Sequence, residues 1–200
     1  MKKNFFFVFF LILSFVIVPN TTYSYSSDPE KFISEIVLEA KQILTESNSK
    51  DFKTKKLSEI ASKTVDIDGI GVYTLGNYAK QLTKEQKKEY KKLFREYFLK
   101  SFTSRLSDYS DPKIDVLSSK VLNDKYTMVN SLLIATNKKP EVKINWRIYT
   151  KNPDKPLIRD LIIEGLSLAR TQKEEFSSVI ETNNGDISKL FIVLKEFINN

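Results

Sequence analysis

The residues Leu161-Ile162-Ile163-Glu164-Gly165 set a carboxylate directly after an apolar run and directly before a glycine. A carboxylate in that setting is either an acid whose pKa burial has raised or a group that shapes a bend. Acid–base work needs a second group, and Asp160 or a tyrosine is the nearest candidate. The rest of the chemical inventory is narrow. The chain contains no His and no Cys, which removes Ser-His-Asp and Cys-His nucleophilic sites, imidazole and thiolate metal sites, and disulfides. Asp66 and Asp68 form an Asp-x-Asp pair, but nothing nearby completes a calcium loop, and capping of the following helix explains Asp66 better. There is no phosphate-binding glycine loop, internal repeat or low-complexity tract.

At the start of the chain, Lys2 and Lys3 precede an almost purely apolar run, Phe5 to Val18, and a small polar stretch, NTTYSYSS. The run is shorter than the ~20 residues of a spanning helix, and its three-part layout is that of a secretory signal. Residues 1–26 are therefore expected to be a signal peptide, cut after Ser24 or Ser26, with 27–200 a single domain. An uncleaved anchor is the alternative; no cysteine follows that could carry lipid. Six of the fourteen phenylalanines fall in this leader, and loss of Lys2 and Lys3 takes the formal charge from +7 to +5. A basic exported domain suits anionic headgroups or acidic proteins rather than nucleic acid.

The remaining elements read as helices, then strands, then helices. Asp28-Pro29 opens a helix with Phe32, Ile33, Ile36, Val37, Ala40, Ile43 and Leu44 on one stripe. A basic, mobile-looking connecting segment around Lys50 to Lys56 precedes a short helix at Leu57, Ile60 and Ala61. Thr83 and Gln86 form a capping box that starts a long helix. Its inner face carries Tyr90, Phe94, Tyr97, Phe98, Phe102 and Leu106. Its outer face carries Lys84, Lys87, Lys88, Lys91 and Lys92, a pattern that a solvated face explains before a binding one does. After Asp111-Pro112 the period becomes two. KIDVLSSKVL, KYTMVNSLLIAT, EVKINWRIYT and PLIRDLIIEG read as strands of an antiparallel meander. A second capping box, Thr171 with Glu174, and an Asp186 cap start the last two helices. The class is α+β: a twisted antiparallel sheet of about four strands with helices on its inner, concave face.

Three stretches together resemble the MlaC family, the periplasmic phospholipid-binding component of the system that maintains outer-membrane lipid asymmetry. TLGNYAKQLTKEQKKEYKKLFREYFLKSFTSRLSDY is similar to the family's Leu-Gly-x-Tyr, Thr-x-x-Gln and Phe-Arg-x-Tyr/Leu series. INWRI resembles its apolar-x-Trp-Arg strand. RDLIIEGLSLARTQKEEFSSVI resembles its Asp-x-Ile-x-Glu-Gly-Val-Ser strand and following helix. Beyond these three, the closing GDISKLFIVLKEF is also similar to the family's ending. The resemblance covers roughly Val65 to Phe197. Where the family places a Trp before the strand's Asp, this chain has Pro156-Leu157-Ile158.

The resemblance implies an NTF2-like cone enclosing an apolar pocket that holds the acyl chains of a diacyl phospholipid. Phe94, Phe98 and Phe102 would face Ile144, Trp146 and Ile148, with Leu75, Tyr78, Leu161, Ile163, Phe176 and Ile180 around them. Asp160, Glu164 and Gly165 would shape the junction at the pocket. No cofactor, metal or nucleotide is expected. The implied partners are an inner-membrane ABC transporter complex with an MCE-type subunit and an outer-membrane lipoprotein–porin complex. The carrier itself would be a monomer. At ~0.8 kcal/mol per buried methylene, two chains of ~30 methylenes in total are worth on the order of 20 kcal/mol against water, so handover must occur by contact. Periodicity alone leaves open whether this interior is hollow or filled. A filled interior would make the chain an exported adaptor or chaperone; acid–base groups inside the cone would make it an enzyme.

Overall fold

The computed structural model describes residues 24–106, 111–136 and 140–200. The expected leader falls, up to residue 23, outside the described residues. Six α-helices and five strands follow one another as α1 (Pro29–Thr45), α2 (Lys50–Thr64), α3 (Ile67–Leu75), α4 (Lys84–Leu106), β1 (Ile114–Asn123), β2 (Tyr126–Leu133), β3 (Val142–Tyr149), β4 (Leu157–Ile163), β5 (Leu166–Ser167), α5 (Leu168–Glu181) and α6 (Ile187–Asn199). No described helix is long and apolar enough to cross a membrane.

Local chemistry fixes most of these boundaries. Asp28 accepts from the amides of Glu30 and Lys31, with Pro29 in the first turn of α1. Thr83 and Gln86 exchange the two bonds of a capping box before α4, at 2.9 and 3.2 Å. Asp186 accepts from the amide of Ser188 at 2.9 Å and starts α6.

Three expectations need correction. The basic segment from Lys50 is not a connector: Ser49 caps the amide of Phe52, and one helix runs unbroken from Lys50 to Thr64. Helix α5 starts earlier than Thr171, because Ser167 caps the amide of Arg170 while Thr171 bonds back to the Ser167 carbonyl. The sheet has five strands rather than four, in the order β1-β2-β3-β4-β5 with every neighbouring pair antiparallel. The fifth has only two residues, too few to show a period.

Pairing register sorts the side chains into rows across the sheet's inner face. Thr127, Ile148 and Ile158 make one row, Val129, Trp146 and Leu161 the next, and Ser131, Ile144 and Ile163 the third. Leu166 pairs with Ile163 and extends the third row to the β5 edge.

The apolar interior is divided in two. One core is made by α3 to α6 with Ile67, Ile70, Leu75, Tyr90, Phe94, Phe176, Ile180 and Leu194 among its buried members. The other lies between α1, α2 and the sheet, around Phe32, Ile33, Leu57, Val129, Ile148 and Ile158. Val65 packs against both, and it also bridges to Ile158 at the free edge of β4.

Candidate functional site

Helix α4 passes from the first core to the second, and its rings form a continuous series. Tyr90 stacks on Phe191 and Phe94, Phe94 meets Phe98 at 6.2 Å, and Phe98 stacks on Phe102 at 5.8 Å with the planes 9° apart. Burial falls along this series. Tyr90 and Phe94 are 3% and 2% exposed, whereas Phe98 and Phe102 are half-buried. At its far end Leu106 packs against the second core.

The sheet shows the same gradient. In the row of Ile148 all three residues are buried; in the rows beyond, Trp146, Leu161, Ile144 and Ile163 are half-buried. Thus the twelve residues expected to line a lipid pocket fall into two groups. Leu75, Phe94, Phe176 and Ile180 lie buried in the first core, with Tyr78 half-buried against it, and Ile148 is sealed in the second. Phe98, Phe102, Ile144, Trp146, Leu161 and Ile163 are half-buried; among them only Phe98 and Trp146 pack at the margin of a core. These six, which neither core closes over, are termed the seam.

Polar groups at the seam are satisfied. The Trp146 indole N–H donates to Ser131 Oγ at 2.8 Å, and that hydroxyl donates to the Ile144 carbonyl at 2.9 Å. No buried side-chain N or O among the described residues lacks a partner. The seam therefore offers hydrocarbon and ring surface with no polar group demanding a ligand.

Ion pairs fasten the elements around it. Asp66 caps the Gly69 amide at 2.9 Å and also accepts from Arg159 Nε at 2.6 Å, and Arg159 lies 4.2 Å over the Tyr149 ring. Burial alone would lower the Arg159 pKa, but Asp66 and Tyr126 outweigh it and raise it. Burial also pushes the Asp68 carboxyl up, yet Lys91 at 2.7 Å and Arg95 at 3.3 Å overcome it and hold the group below the ordinary carboxylate range. Tyr90 donates to Thr74 at 2.9 Å, and burial drives its pKa upward. Of the lysine face, Lys84, Lys87, Lys88, Lys91 and Lys92 are all exposed, and Lys91 is the one that pairs with Asp68.

Asp160 and Glu164 do not form an acid–base pair. Asp160 is 4% exposed and accepts from Ser167 Oγ at 2.6 Å, the Ala169 amide at 3.0 Å and Arg147 at 3.3 Å, so it pins the start of α5 to β4. Glu164 stands exposed at the tip of the β4–β5 hairpin rather than at a strand-to-helix junction. Its φ of 48° and the 84° of Gly165 are both positive, as a two-residue type I′ turn requires. Glu164 exchanges two bonds with the backbone of Lys143 on β3, donating its amide at 3.0 Å and accepting at its carboxylate at 2.5 Å. Arg147 and Arg159 pair with Asp160 and Asp66, not with Glu164. Among the described residues no group of three or more acidic side chains could hold a metal ion.

Two of the cavities on the described surface include none of the twelve residues. One of about 600 Å³ lies between Tyr73 of α3 and Arg170, Lys173 and Glu181 of α5. The other, about 400 Å³, is bordered by Ile70, Tyr126, Arg147 and Arg159.

The fold has a solved counterpart. Over 84% of this chain and 94% of the other, it is similar to a phospholipid-binding protein from Ralstonia solanacearum solved in complex with a phospholipid, with a TM-score of 0.69 and 18% identity. That likeness shows the fold. No curated protein matches the chain in sequence. The model of the MlaC protein family matches residues 34–196, from the first turns of α1 to the last turns of α6, and the chain belongs to the MlaC family.

Proposed function

We propose that this chain is an exported phospholipid carrier that holds acyl chains in this seam. The carrying observation is the falling burial along α4 and along β3–β4, which leaves Phe98, Phe102, Ile144, Trp146, Leu161 and Ile163 half-buried outside the closed parts of the two cores. The family assignment and the phospholipid bound to the Ralstonia solanacearum protein support the same reading.

In this reading the chain binds and shuttles, and no bond is made or broken. Acyl chains part the seam, Phe98 and Phe102 close on them from α4, and Trp146 and Leu161 from the sheet. Rigid rings suit this work because few rotamers are lost on ordering. Transfer from a bilayer is nearly balanced, since both ends are apolar, so small differences between partner-bound states set the direction. The periplasm, with membrane transport complexes on either side, is the matching setting. Residues 1–26 act as the signal that delivers the domain there. Asp160 and Glu164 act as fasteners at the edge of the site.

The burial of Leu75, Phe94, Phe176 and Ile180 favours one second reading, an exported adaptor whose interior is wholly filled. Trp146 is the one tryptophan of the chain, so its fluorescence separates the two. Vesicles containing phosphatidylglycerol with brominated chains should quench it saturably. Unquenched emission at every lipid concentration would rule out the carrier.

A further inference from the structure

The third row of the inner face runs from buried to bare: Ser131 is 2% exposed, Ile144 and Ile163 are half-buried, and Leu166 is 59% exposed. An isoleucine–isoleucine–leucine row thus leads from the seam to the free β5 edge without a polar interruption. The hairpin that carries Leu166 is held firmly, since its turn has the positive φ values of a type I′ turn, one of the two favoured two-residue closures, and Glu164 ties it twice to Lys143. A large aliphatic side chain on a fixed edge, left uncovered by α5 and continuous with an apolar site, is otherwise a cost to the fold.

From this row we infer that Leu166 and Ile163 form a sill over which acyl chains enter and leave the seam, and that the β5 edge meets the hydrocarbon of a lipid leaflet during transfer. The inference rests on the carrier reading. Physically, a chain in transit exposes methylenes to water at ~0.8 kcal/mol each, and an apolar sill at the opening covers part of that surface in the transition state. Leu166 then affects the rate of exchange and leaves the affinity of the loaded state alone, because the settled chains lie past it.

Leu117 supplies a matched control, being likewise 59% exposed but on β1, the opposite edge of the sheet. The experiment mixes the full mature domain with phosphatidylcholine vesicles containing brominated-chain phosphatidylglycerol and follows Trp146 quenching in time. Leu166→Ser should slow uptake about tenfold, the loss of roughly one leucine contact, with unchanged final quenching and unchanged Tm. Leu166→Met should keep the rate, and Leu117→Ser should behave as the unaltered chain. Equal rates for Leu166→Ser and Leu117→Ser would overturn the sill. So would a fall in final quenching and Tm that accounts for the slower rate. If the unaltered chain is never quenched, the carrier reading itself fails and the sill with it.

Discussion

The two cores are built to different standards of closure. In the helical core each ring is a wall for the next: Phe94 touches Tyr90, Tyr97, Phe98 and Phe176 with centroids between 5.8 and 6.3 Å, and an added Cβ on Gly71 would come within 2.8 Å of it. In the sheet core closure is complete only at the row of Ile148, and cover thins row by row toward the β4–β5 hairpin. A filled core stabilises the fold, whereas a surface left half-covered keeps a place for something else. On the carrier reading the division lets the chain do both, and Val65 packs against both cores.

Substitutions on the two sides should separate these roles. Phe94→Ala empties a closed core and should cost about 3–5 kcal/mol in urea unfolding. Phe102→Ala, on a half-buried ring, should cost about 1 kcal/mol yet weaken quenching by brominated lipid. Equal unfolding costs would mean that the seam is ordinary core. Gly71→Ala should cost about 1–3 kcal/mol, because α3 cannot approach Phe94 so closely; a neutral result would show that the helical core is looser than its ring contacts indicate. Glu164→Gln should lower stability by about 1 kcal/mol through a weaker bond to Lys143 while leaving the order of preference among phospholipid headgroups unchanged. Lost lipid binding at full stability would contradict that structural role.

Acid should probe the fastening of α3 to α4 within the helical core. With its folded pKa depressed, Asp68 contributes stability that is fully present above its unfolded value of ~3.9 and is lost as pH falls through the folded value. Asp68→Asn should therefore lower Tm near neutral pH and shrink the drop in Tm below about pH 4. The effect is small, because the carboxylate is 40% exposed and solvent screens it.

Much of this arrangement was legible in residue order. Period-two runs located the four long strands, and caps at Asp28, Thr83 and Asp186 located three helix starts. The start of α2 escaped because Lys50 to Lys56 has no apolar stripe; its helicity comes from the Ser49 cap and from packing of Leu57 and Ile60 further on. Thr171 with Glu174 imitated a cap, but Ser167 and the buried Asp160 act one turn earlier. Stripes identify which side of a helix is inward without saying what it meets, so one pocket wall was expected where the chain makes two cores and a seam. Pairs such as Asp66 with Arg159, 93 residues apart, leave no local trace. The burial gradient along Ser131, Ile144, Ile163 and Leu166 depends on register and on what covers each row, and both are set by tertiary packing.

Native mass spectrometry of the domain purified from a bacterial periplasm, followed by lipid extraction, tests the central claim most directly. A carrier should show a one-to-one adduct with the mass of a diacyl phospholipid, lost in part when Phe102 is truncated. A clean unliganded mass that persists after incubation with phospholipid vesicles would contradict it, and the half-covered face would then belong to a protein partner.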